Sequence, residues 1–412
     1  MNVQLDHPLT VTRRLLLVLT VLMSSLTIAG STHAAAPRAQ QASRALDCRP
    51  LTEQRPDLLP PAATTPPPAA GAPAATLTPV TIGYVPVSIY APLFAAKDLG
   101  YYAEFGLDVT LEANPGGSDL ITLTAAGNID ISAAGAGPAF WNALSQDLPI
   151  TVIAPGHQEG SPVATPLMIS REACESGAIT SVTDLAGKRV AVNAPGGTEY
   201  WLGQALATAG LGLDDVDEQF LPFADAVAAL SSGAIDAAMI GEPLATQAEL
   251  DGFAVRLLPD FPVQGVQPTA IIGNDDFLAA HPDVATGFVA AYLKASRALS
   301  GSGFKDPAIL AIIEQYTGVP ADLARLAIQP VYQPNGEINF ATLGGLQAFF
   351  RTQGQLDYDA DIDPVSVADT RFIAAALALI GTAATVPATT PAATASPAAT
   401  PLAGPPNGDG RY

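Results

Sequence analysis

The sequence predicts an α/β protein of two lobes, each a mainly parallel sheet flanked by helices. Two stretches, residues 81–138 and 187–243, each read as strand, helix, strand, helix, strand. Both end in a Gly-x-Ile-Asp step into an apolar strand, followed by a loop of glycine and proline. Strands that alternate with helices form parallel sheets with right-handed crossovers, and ligands bind at the carboxyl ends of such strands. The two copies therefore predict two binding edges that face across a cleft.

The composition of the chain limits its partners. Its 412 residues are 49% hydrophobic, which is enough for two lobes that each bury a core. The formal net charge of −21 argues against nucleic acid or an anionic membrane as the partner. The acidic residues are spread along the chain, which is typical of a soluble surface.

The amino terminus reads as an export signal over residues 1–36. Arg13 and Arg14 precede an apolar run at 15–29, and small residues follow at 34–36. The run is shorter than the roughly 20 apolar residues that a membrane span needs. Its double arginine faintly resembles a twin-arginine signal, although a Sec signal fits better. We expect an exported protein, in the periplasm or at the extracytoplasmic face of the cell membrane.

Two segments rich in proline and alanine, 37–78 and 385–412, are predicted to be disordered tethers because they cannot form a core. The only cysteines are Cys48 and Cys174. An oxidising compartment permits a bond between them, but Cys48 lies in a predicted tether, so the sequence leaves their pairing open. Neither cysteine has metal-site spacing, and no two of the four histidines form a ligand pair. We therefore expect no metal and no cofactor.

The remaining elements follow in order along the chain. Between the copies PITVIAP and TPLMIS are predicted strands, and PTAIIGN is a predicted strand after the second copy. An apolar stripe at helical spacing predicts a long helix over 275–300. Further helices are predicted at 307–316, 320–328, 340–352 and 366–380. This order predicts a discontinuous first lobe, 79–170 and 268–384, around a second lobe, 171–267.

Several of these segments together resemble a known family. GYVPVSIYAPLFAAKDLGYYAEFGLDVTLE, GGSD, L-x-x-x-G-x-I-D and G-x-G-P-A-F-W-N-A are similar to the nitrate/sulfonate/taurine branch of ABC-transporter solute-binding proteins. That branch shares its fold with thiamine-pyrimidine-synthesis-like proteins. D-L-A-G-K-R-V-A-V and G-x-I-D-A-A-M-I-G-E-P match its second lobe, and the resemblance runs from Val80 to about Phe288. It implies a type II periplasmic-binding-protein fold with a ligand cleft between the lobes.

In the first lobe, the loop after the first strand offers two phenols. Tyr84 and Tyr90 flank a serine and free amides just before a predicted helix, which suits a planar or polar small molecule. The alternative is that both tyrosines pack in the core. The resemblance favours ligand contact.

Two predicted helices open with a glycine pair and a hydroxyl residue. Gly117 and Ser118 belong to the first copy; Gly197 and Thr198, preceded by Asn193, belong to the second. The glycines let a ligand approach the backbone, and unpaired amides at a helix start favour an anionic group such as a sulfonate or carboxylate. The alternative is that the two hydroxyls only cap their helices, which would explain the same residue types without a ligand.

The third strand of each copy ends in a loop that should face the cleft. Gly135 and Ala136 offer backbone donors there, and Glu242 adds a carboxylate that would select an amine or amidine. The alternative for Glu242 is an ion pair that steadies the hinge, but the resemblance favours a site role. Because none of the candidate loops contains Arg or Lys, a taurine-like zwitterion or a pyrimidine fits better than a strongly charged anion.

Other conspicuous side chains have more ordinary interpretations. His157 and Glu159 follow a strand and are predicted to lie in a solvated turn, the alternative being a second polar contact to the ligand. Phe140, Trp141 and Trp201 are predicted to belong to the core.

The resemblance implies a non-enzymatic role, with no catalytic residues. The protein would capture a small solute by lobe closure and deliver it, as a monomer, to an ABC permease at the membrane. The alternatives are an enzyme of the same fold, of the pyrimidine or menaquinone biosynthesis type, and an extracytoplasmic ligand sensor. A pyrimidine synthase similar to this family uses a cysteine-rich motif, whereas only Cys174 lies in the predicted fold. No GxSxG elbow is present to support a hydrolase.

Overall fold

The computed structural model of the protein describes residues 46–58 and 66–383. The predicted signal peptide, 1–36, and the predicted tail, 385–412, lie outside the described residues. Within the two described ranges no helix combines the length and the apolar character needed to cross a membrane.

Strands and helices alternate over most of the described chain. The strands are β1 (Thr78–Tyr84), β2 (Leu107–Ala113), β3 (Ile131–Gly135), β4 (Ile150–Pro155), β5 (His157–Gln158), β6 (Leu167–Ser170), β7 (Arg189–Val192), β8 (Asp217–Phe220), β9 (Ala237–Met239), β10 (Ala254–Leu258), β11 (Thr269–Asn274) and β12 (Val331–Tyr332). The helices are α1 (Leu51–Gln54), α2 (Ala91–Asp98), α3 (Tyr101–Glu104), α4 (Gly117–Ala125), α5 (Pro138–Ser145), α6 (Arg171–Glu175), α7 (Gly197–Ala207), α8 (Phe223–Ser231), α9 (Leu244–Leu250), α10 (Asp275–Ala280), α11 (Pro282–Ala298), α12 (Pro307–Thr317), α13 (Ala321–Leu326), α14 (Phe340–Thr352) and α15 (Arg371–Ile380).

Each sequence copy supplies three strands of a five-stranded sheet, and the two sheets have the same layout. The first sheet has the order β2-β1-β3-β11-β4 and the second the order β8-β7-β9-β6-β10. In each, the three strands of the copy pair in parallel, and one strand, β11 or β6, runs antiparallel to both its neighbours. The predicted α/β class is therefore confirmed, with sheets that are mixed: four strands of each run in one direction and the fifth is antiparallel to them. We call the first sheet with its helices lobe 1 and the second lobe 2.

The antiparallel strand β6 changes one predicted lobe boundary. β6 pairs with β9 and β10 and so belongs to lobe 2, whereas the sequence placed the crossing after it, near Ser170. The chain therefore crosses to lobe 2 within 156–166. It returns between Leu258 and Thr269, close to the expected Pro268. An apolar run of four residues shows that a strand exists but not which sheet it joins, because that choice depends on non-local pairing.

Local signals account for several helix ends. The Asn274 side chain accepts a hydrogen bond from the Phe277 amide at 3.0 Å and caps α10. Asp306 caps α12 in the same way through the Ala308 amide at 2.8 Å. Gly318, with a φ of 72°, ends α12 in the left-handed conformation that favours glycine.

The core is continuous between the lobes. Strands β3, β7 and β9 are buried on both faces because helices cover them. One apolar cluster contains Trp141 and Val152 of lobe 1 together with Val190 and Leu202 of lobe 2. Helix α14 packs against both α5 and α7 and so contacts each lobe. Phe140, Trp141 and Trp201 are buried, which confirms their predicted place in the core.

The predicted tether 37–78 is wrong over part of its length. Residues 46–58 contain α1, whose Leu51 is buried, and a disulfide joins Cys48 to Cys174 on α6. The bond encloses a long stretch of chain, with a sequence separation of 126, and its Cα atoms are 6.0 Å apart. Composition missed this segment because one buried leucine and one cysteine are enough to attach a short stretch to a fold that already exists.

Candidate functional site

Glycine loops from the two lobes meet at the carboxyl ends of their strands. A Cβ added at Gly117, at the start of α4, would lie 3.8 Å from the Gly135 amide nitrogen at the end of β3. A Cβ added at Gly196, before α7 in lobe 2, would lie 3.3 Å from Cδ of Pro138 in lobe 1. Three of the predicted loops are therefore neighbours. Gly137 and Gly197 have open space where a side chain would be.

The start of α4 carries backbone donors without acceptors. Its N-cap residue is Gly116, and no side chain caps the helix. Within the described part of the chain, no acceptor is bonded to the amides of Gly117, Ser118 or Asp119. Ser118 is exposed and lies inside the helix, so the alternative interpretation, in which the Ser118 hydroxyl caps α4, is wrong. Free amides at a positive helix end are suited to bind an oxyanion.

The start of α7 differs from that of α4. Here the Glu199 carboxylate accepts a hydrogen bond from the Gly196 amide at 3.0 Å. The Thr198 hydroxyl bonds to the side chain of Asn193 and, at 3.3 Å, to the Ala194 carbonyl. Because a buried carboxylate already occupies this helix start, a second anion would be repelled there. The anion-binding property predicted for both helix starts is retained only at α4.

The loop after β3 offers one free donor rather than two. The Ala136 amide donates to the Pro268 carbonyl at 2.8 Å, and Ala136 itself is buried. In the described ranges the amide of Gly137 has no acceptor. Gly137, which the sequence prediction left out, is therefore better placed than Ala136 to contact a ligand.

Tyr84 and Tyr90 pack in the core of lobe 1, which is the alternative that the sequence left open, and their contact with a ligand stays a prediction. The ring of Tyr84 packs edge-on against Phe94, with centroids 4.9 Å apart, and Tyr90 is buried in the core of lobe 1. Neither hydroxyl has a hydrogen-bond partner among the described residues. Burial raises the pKa of both phenols, so each remains a neutral donor.

Glu242 is engaged by the protein itself. Its carboxylate is 2.6 Å from Nη2 of Arg256, and it also accepts hydrogen bonds from Thr246 and from the Ile328 amide at 3.2 Å. Arg256 is buried on β10 and binds Glu249 as well, with Nε 3.0 Å from the carboxylate. This arrangement corresponds to the alternative interpretation of Glu242, an ion pair, and it leaves little of the carboxylate for a ligand amine.

Arg256 and Lys305 are buried charged residues near Glu242 that the sequence interpretation missed. Arg256 interrupts the apolar strand AVRLL, and a charge in such a strand needs a buried counter-charge, which is the signal that could have located it. Lys305 is also buried, and its ammonium has no acceptor in the described part of the chain. Burial lowers the pKa of Lys305, nearby Arg325 lowers it further, and Glu242 acts in the opposite direction.

The predicted solvated turn at His157 and Glu159 is wrong, because both side chains are buried. His157 Nδ1 lies 2.8 Å from the Thr269 hydroxyl, and burial lowers the pKa of this histidine to about 3. Glu159 accepts hydrogen bonds from the indole of Trp201 in lobe 2 at 3.2 Å and from the Ala164 amide at 2.9 Å. Burial raises the pKa of Glu159. This carboxylate therefore links the crossing segment to lobe 2.

Two kinds of chemistry find no support among the described residues. These residues contain no group of three or more His, Cys, Asp or Glu side chains able to hold a metal ion. Cys174 is in a disulfide and so offers no thiol nucleophile.

Comparison with known proteins finds a matching family and several relatives. A sequence model of the family described as "NMT1/THI5 like" matches residues 88–301, just over half of the chain. The nitrate/nitrite binding protein NrtA of Nostoc sp. PCC 7120 is 23% identical over 265 residues, which cover 60% of this chain and 58% of that protein. A putative aliphatic sulfonates-binding protein of Escherichia coli K12 is 32% identical over 147 residues, 35% of this chain and 43% of that protein. The chain thus spans about half the length of these relatives.

Solved structures match over a larger share of the chain. The alkanesulfonate-binding protein SsuA of Xanthomonas axonopodis pv. citri, bound to MOPS, has a TM-score of 0.57 at 20% identity, over 72% of this chain and 100% of that one. The periplasmic nitrate-binding protein NrtA of Synechocystis PCC 6803 has a TM-score of 0.62 at 17% identity, over 76% of this chain and 90% of that one. These matches show that the fold is that of the periplasmic binding proteins.

Proposed function

The chain belongs to the NMT1/THI5-like family, and we propose that it is the extracytoplasmic substrate-binding component of an ABC importer. It captures a small organic solute between its lobes and delivers it to a membrane permease. Affinity comes from desolvation in the cleft and from hydrogen bonds at strand and helix ends, without covalent chemistry. Lobe closure is a hinge movement about the crossings at 156–166 and 259–268, and solute contacts stabilise the closed state.

The observation that carries this proposal is the uncapped start of α4. Three consecutive amides without acceptors lie next to the Gly135–Pro138 loop, where the lobes meet. The relatives are named for nitrate and aliphatic sulfonates, both of which are oxyanions. We therefore propose that the solute presents a sulfonate or similar group to α4, with the hydroxyls of Tyr84 and Tyr90 as further donors.

The proposal revises the expected ligand chemistry. Glu242 was assigned to an amine or amidine, but its carboxylate is paired with Arg256. An alkanesulfonate without an amine is therefore expected to bind as well as taurine does. A pyrimidine becomes a weaker candidate, because the Glu242 carboxylate assigned to it is paired with Arg256.

The proposal also includes that the protein is exported, acts as a monomer and has an ABC permease as its partner. The predicted signal at 1–36 would direct the chain across the membrane. An enzymatic role of the cysteine type is disfavoured, because the disulfide occupies both cysteines of the chain.

Native mass spectrometry of the protein purified from a rich medium tests the proposal directly, by revealing a retained small molecule. A panel of melting curves follows, because a solute that binds only the folded state raises the melting temperature. The proposal predicts a rise with ethanesulfonate or taurine. If no retained mass is found and ethanesulfonate, taurine, nitrate and an aminopyrimidine leave the melting temperature unchanged, the proposal fails.

A further inference from the structure

Residues 46–58 are docked on lobe 2, although the sequence predicted a free tether there, and we call them the docked segment. The Cys48–Cys174 disulfide fastens this segment to α6. Leu51 is buried, and its amide donates a hydrogen bond to the Glu249 carboxylate on α9 at 3.2 Å. The docked segment therefore supplies a hydrogen-bond donor to a buried charge of lobe 2.

Glu249 belongs to a buried cluster of two carboxylates and one cation. The Arg256 guanidinium lies 3.0 Å from the Glu249 carboxylate through Nε and 2.6 Å from the Glu242 carboxylate through Nη2. Because a guanidinium is planar and its donors are fixed relative to one another, a displacement of Glu249 moves the guanidinium relative to Glu242. The position of Glu242 therefore depends on that of Glu249.

The Glu242 side chain connects this cluster to lobe 1. Its Oε1 accepts three hydrogen bonds: from Arg256, from the Thr246 hydroxyl at 3.0 Å and from the Ile328 amide at 3.2 Å. Ile328 follows α13, whose Ala324 lies in the apolar core of lobe 1. Helix α13 also packs against α9 of lobe 2. The hydrogen bond between Ile328 and Glu242 is therefore a contact between the lobes.

The Glu242 backbone reaches the first crossing as well. Its amide donates to the Ala164 carbonyl at 2.9 Å, inside the crossing at 156–166. Glu242 thus fastens lobe 2 both to the crossing and to the segment that follows α13. A hinge movement about this crossing displaces α13 relative to α9, so it has to strain or break these contacts.

From this continuous set of contacts we propose that the docked segment is a positioning element of the hinge. Its Leu51 amide, held in place by the disulfide, fixes the buried cluster and through it the contact between Glu242 and the Ile328 amide. The docked segment thereby favours the arrangement of the lobes in which α9 and α13 are in contact.

The physical reason is that the two carboxylates share one guanidinium, so each relies on further donors. Burial raises the pKa of Glu249, whereas Arg256 and the Leu51 amide lower it. Without the Leu51 amide, the Glu249 oxygen has to take its donor from water. Water at the cluster weakens both ion pairs, because it raises the local dielectric constant. Glu242 is then held less firmly, and the Ile328 amide loses a well-placed acceptor.

Hydrogen exchange of single backbone amides tests this coupling and needs no solute. Two variants keep the disulfide and lack the leucine side chain: Leu51→Ala keeps the amide, and Leu51→Pro removes it. Proline is tolerated because Leu51 is the first residue of α1 and Pro50 before it is extended, with a ψ of 144°. The reporter is the Ile328 amide. The control is the Ala136 amide, whose hydrogen bond to the Pro268 carbonyl does not involve the cluster.

We expect the Ile328 amide to exchange at least about fivefold faster in Leu51→Pro than in Leu51→Ala, as for the loss of roughly one hydrogen bond's stabilisation. The Ala136 amide should exchange equally in both variants. The Cys48→Ser/Cys174→Ser variant leaves the docked segment without its covalent fastening. There the Ile328 amide, measured relative to Ala136, should exchange faster than in the parent protein.

Equal exchange of the Ile328 amide in the two leucine variants overturns the proposal. A change at Ile328 that is matched by an equal change at Ala136 also overturns it, because the variants would then only lower the global stability. If the cysteine variant exchanges as the parent does, the part assigned to the disulfide is wrong. Should the cysteine variant not fold, the leucine pair still decides the coupling.

The use of this contact in lobe movement rests on the proposed function, but the exchange test does not. If the exchange rates respond as expected while no solute binds, the proposed function fails and the positioning role of the docked segment stands.

Discussion

Glu218 lies half-buried on β8, and one of its carboxylate oxygens is enclosed without a hydrogen-bond partner among the described residues. Burial, followed by the nearby charge of Glu199, raises the pKa of Glu218 to about 7. In the unfolded chain the pKa of this carboxyl is close to 4.5. The folded state therefore holds the Glu218 proton more tightly than the unfolded chain does. The protonated carboxyl stabilises the folded protein fully below about pH 4.5, and this contribution is lost as the pH rises through 7.

The Glu218→Gln variant removes this pH dependence. We expect it to exceed the parent protein in free energy of unfolding by about 1–2 kcal/mol near pH 8, after discounting for solvent screening at a partly exposed site. Near pH 4.5 the difference should vanish. Urea unfolding at both pH values measures it, with Glu112→Gln on the exposed part of β2 as the control. A pH-independent difference would show that the Glu218 carboxyl is not perturbed.

The Arg256 ion pairs make a second prediction at this scale. Arg256→Met leaves the buried carboxylates of Glu242 and Glu249 without their cation, which should cost about 3–5 kcal/mol of stability. The exposed pair of Arg325 with Asp322 provides the control, and Arg325→Met should cost less than about 1 kcal/mol. Both are measured by urea unfolding. Equal losses would contradict the structural role assigned to Arg256.

Individual site residues were only partly predictable from the sequence. The glycines at the start of α4 were found because a loop between strand and helix has a local signature. The ion pair of Glu242 was the less favoured of its two interpretations, because its partner Arg256 lies 14 positions away on β10 and only the fold brings the two together. The prediction of a free donor at Ala136 was wrong for a similar reason, since its amide donates to the carbonyl of Pro268 in the return crossing.

At the scale of elements, close packing decides what a helix position tolerates. A Cβ on Gly287 of α11 would lie 2.9 Å from the Phe105 carbonyl oxygen and 3.1 Å from Leu107 Cδ1, whereas a Cβ on Gly345 of α14 would meet nothing within 4 Å. Alanine favours helix equally at both sites. The two positions therefore separate packing from helix propensity.

We expect Gly287→Ala to destabilise the protein by about 1–3 kcal/mol, because overpacking outweighs propensity. Gly345→Ala should instead stabilise it by about 0.5–1 kcal/mol. Chemical denaturation of the two variants measures both changes. The same sign for both would mean that α11 does not pack as closely as described.

The positions of the strands and helices in the repeated unit were well predicted, but the pairing of strands within the sheets was predicted less well. Hydrophobic periodicity located the strands and helices of both copies, and the comparisons confirm the fold class. The assignment of β6 to lobe 2 did not follow from the sequence. Periodicity reports the burial of a segment but not the identity of its neighbour.

At the scale of the whole molecule, the two lobes share an architecture but not a chemistry. The α4 start in lobe 1 has free amides, whereas the α7 start in lobe 2 is occupied by Glu199. Lobe 1 is therefore expected to bind the anionic end of the solute, and lobe 2 to close over it. The disulfide could not be predicted, because composition gave no reason for Cys48 to approach α6.

The central claim is that the α4 amides bind an oxyanion, and calorimetric titration of ethanesulfonate into two Gly117 variants tests it most directly. Gly117→Ala keeps the amide, and its Cβ fits at 3.8 Å. Gly117→Pro removes the amide at a first helical position that tolerates proline, after an extended Gly116. We predict that the proline variant binds at least about tenfold more weakly than the alanine variant, which also carries a Cβ but keeps the amide, as expected for a lost hydrogen bond to a charged group. Equal affinity of the alanine and proline variants would contradict the account.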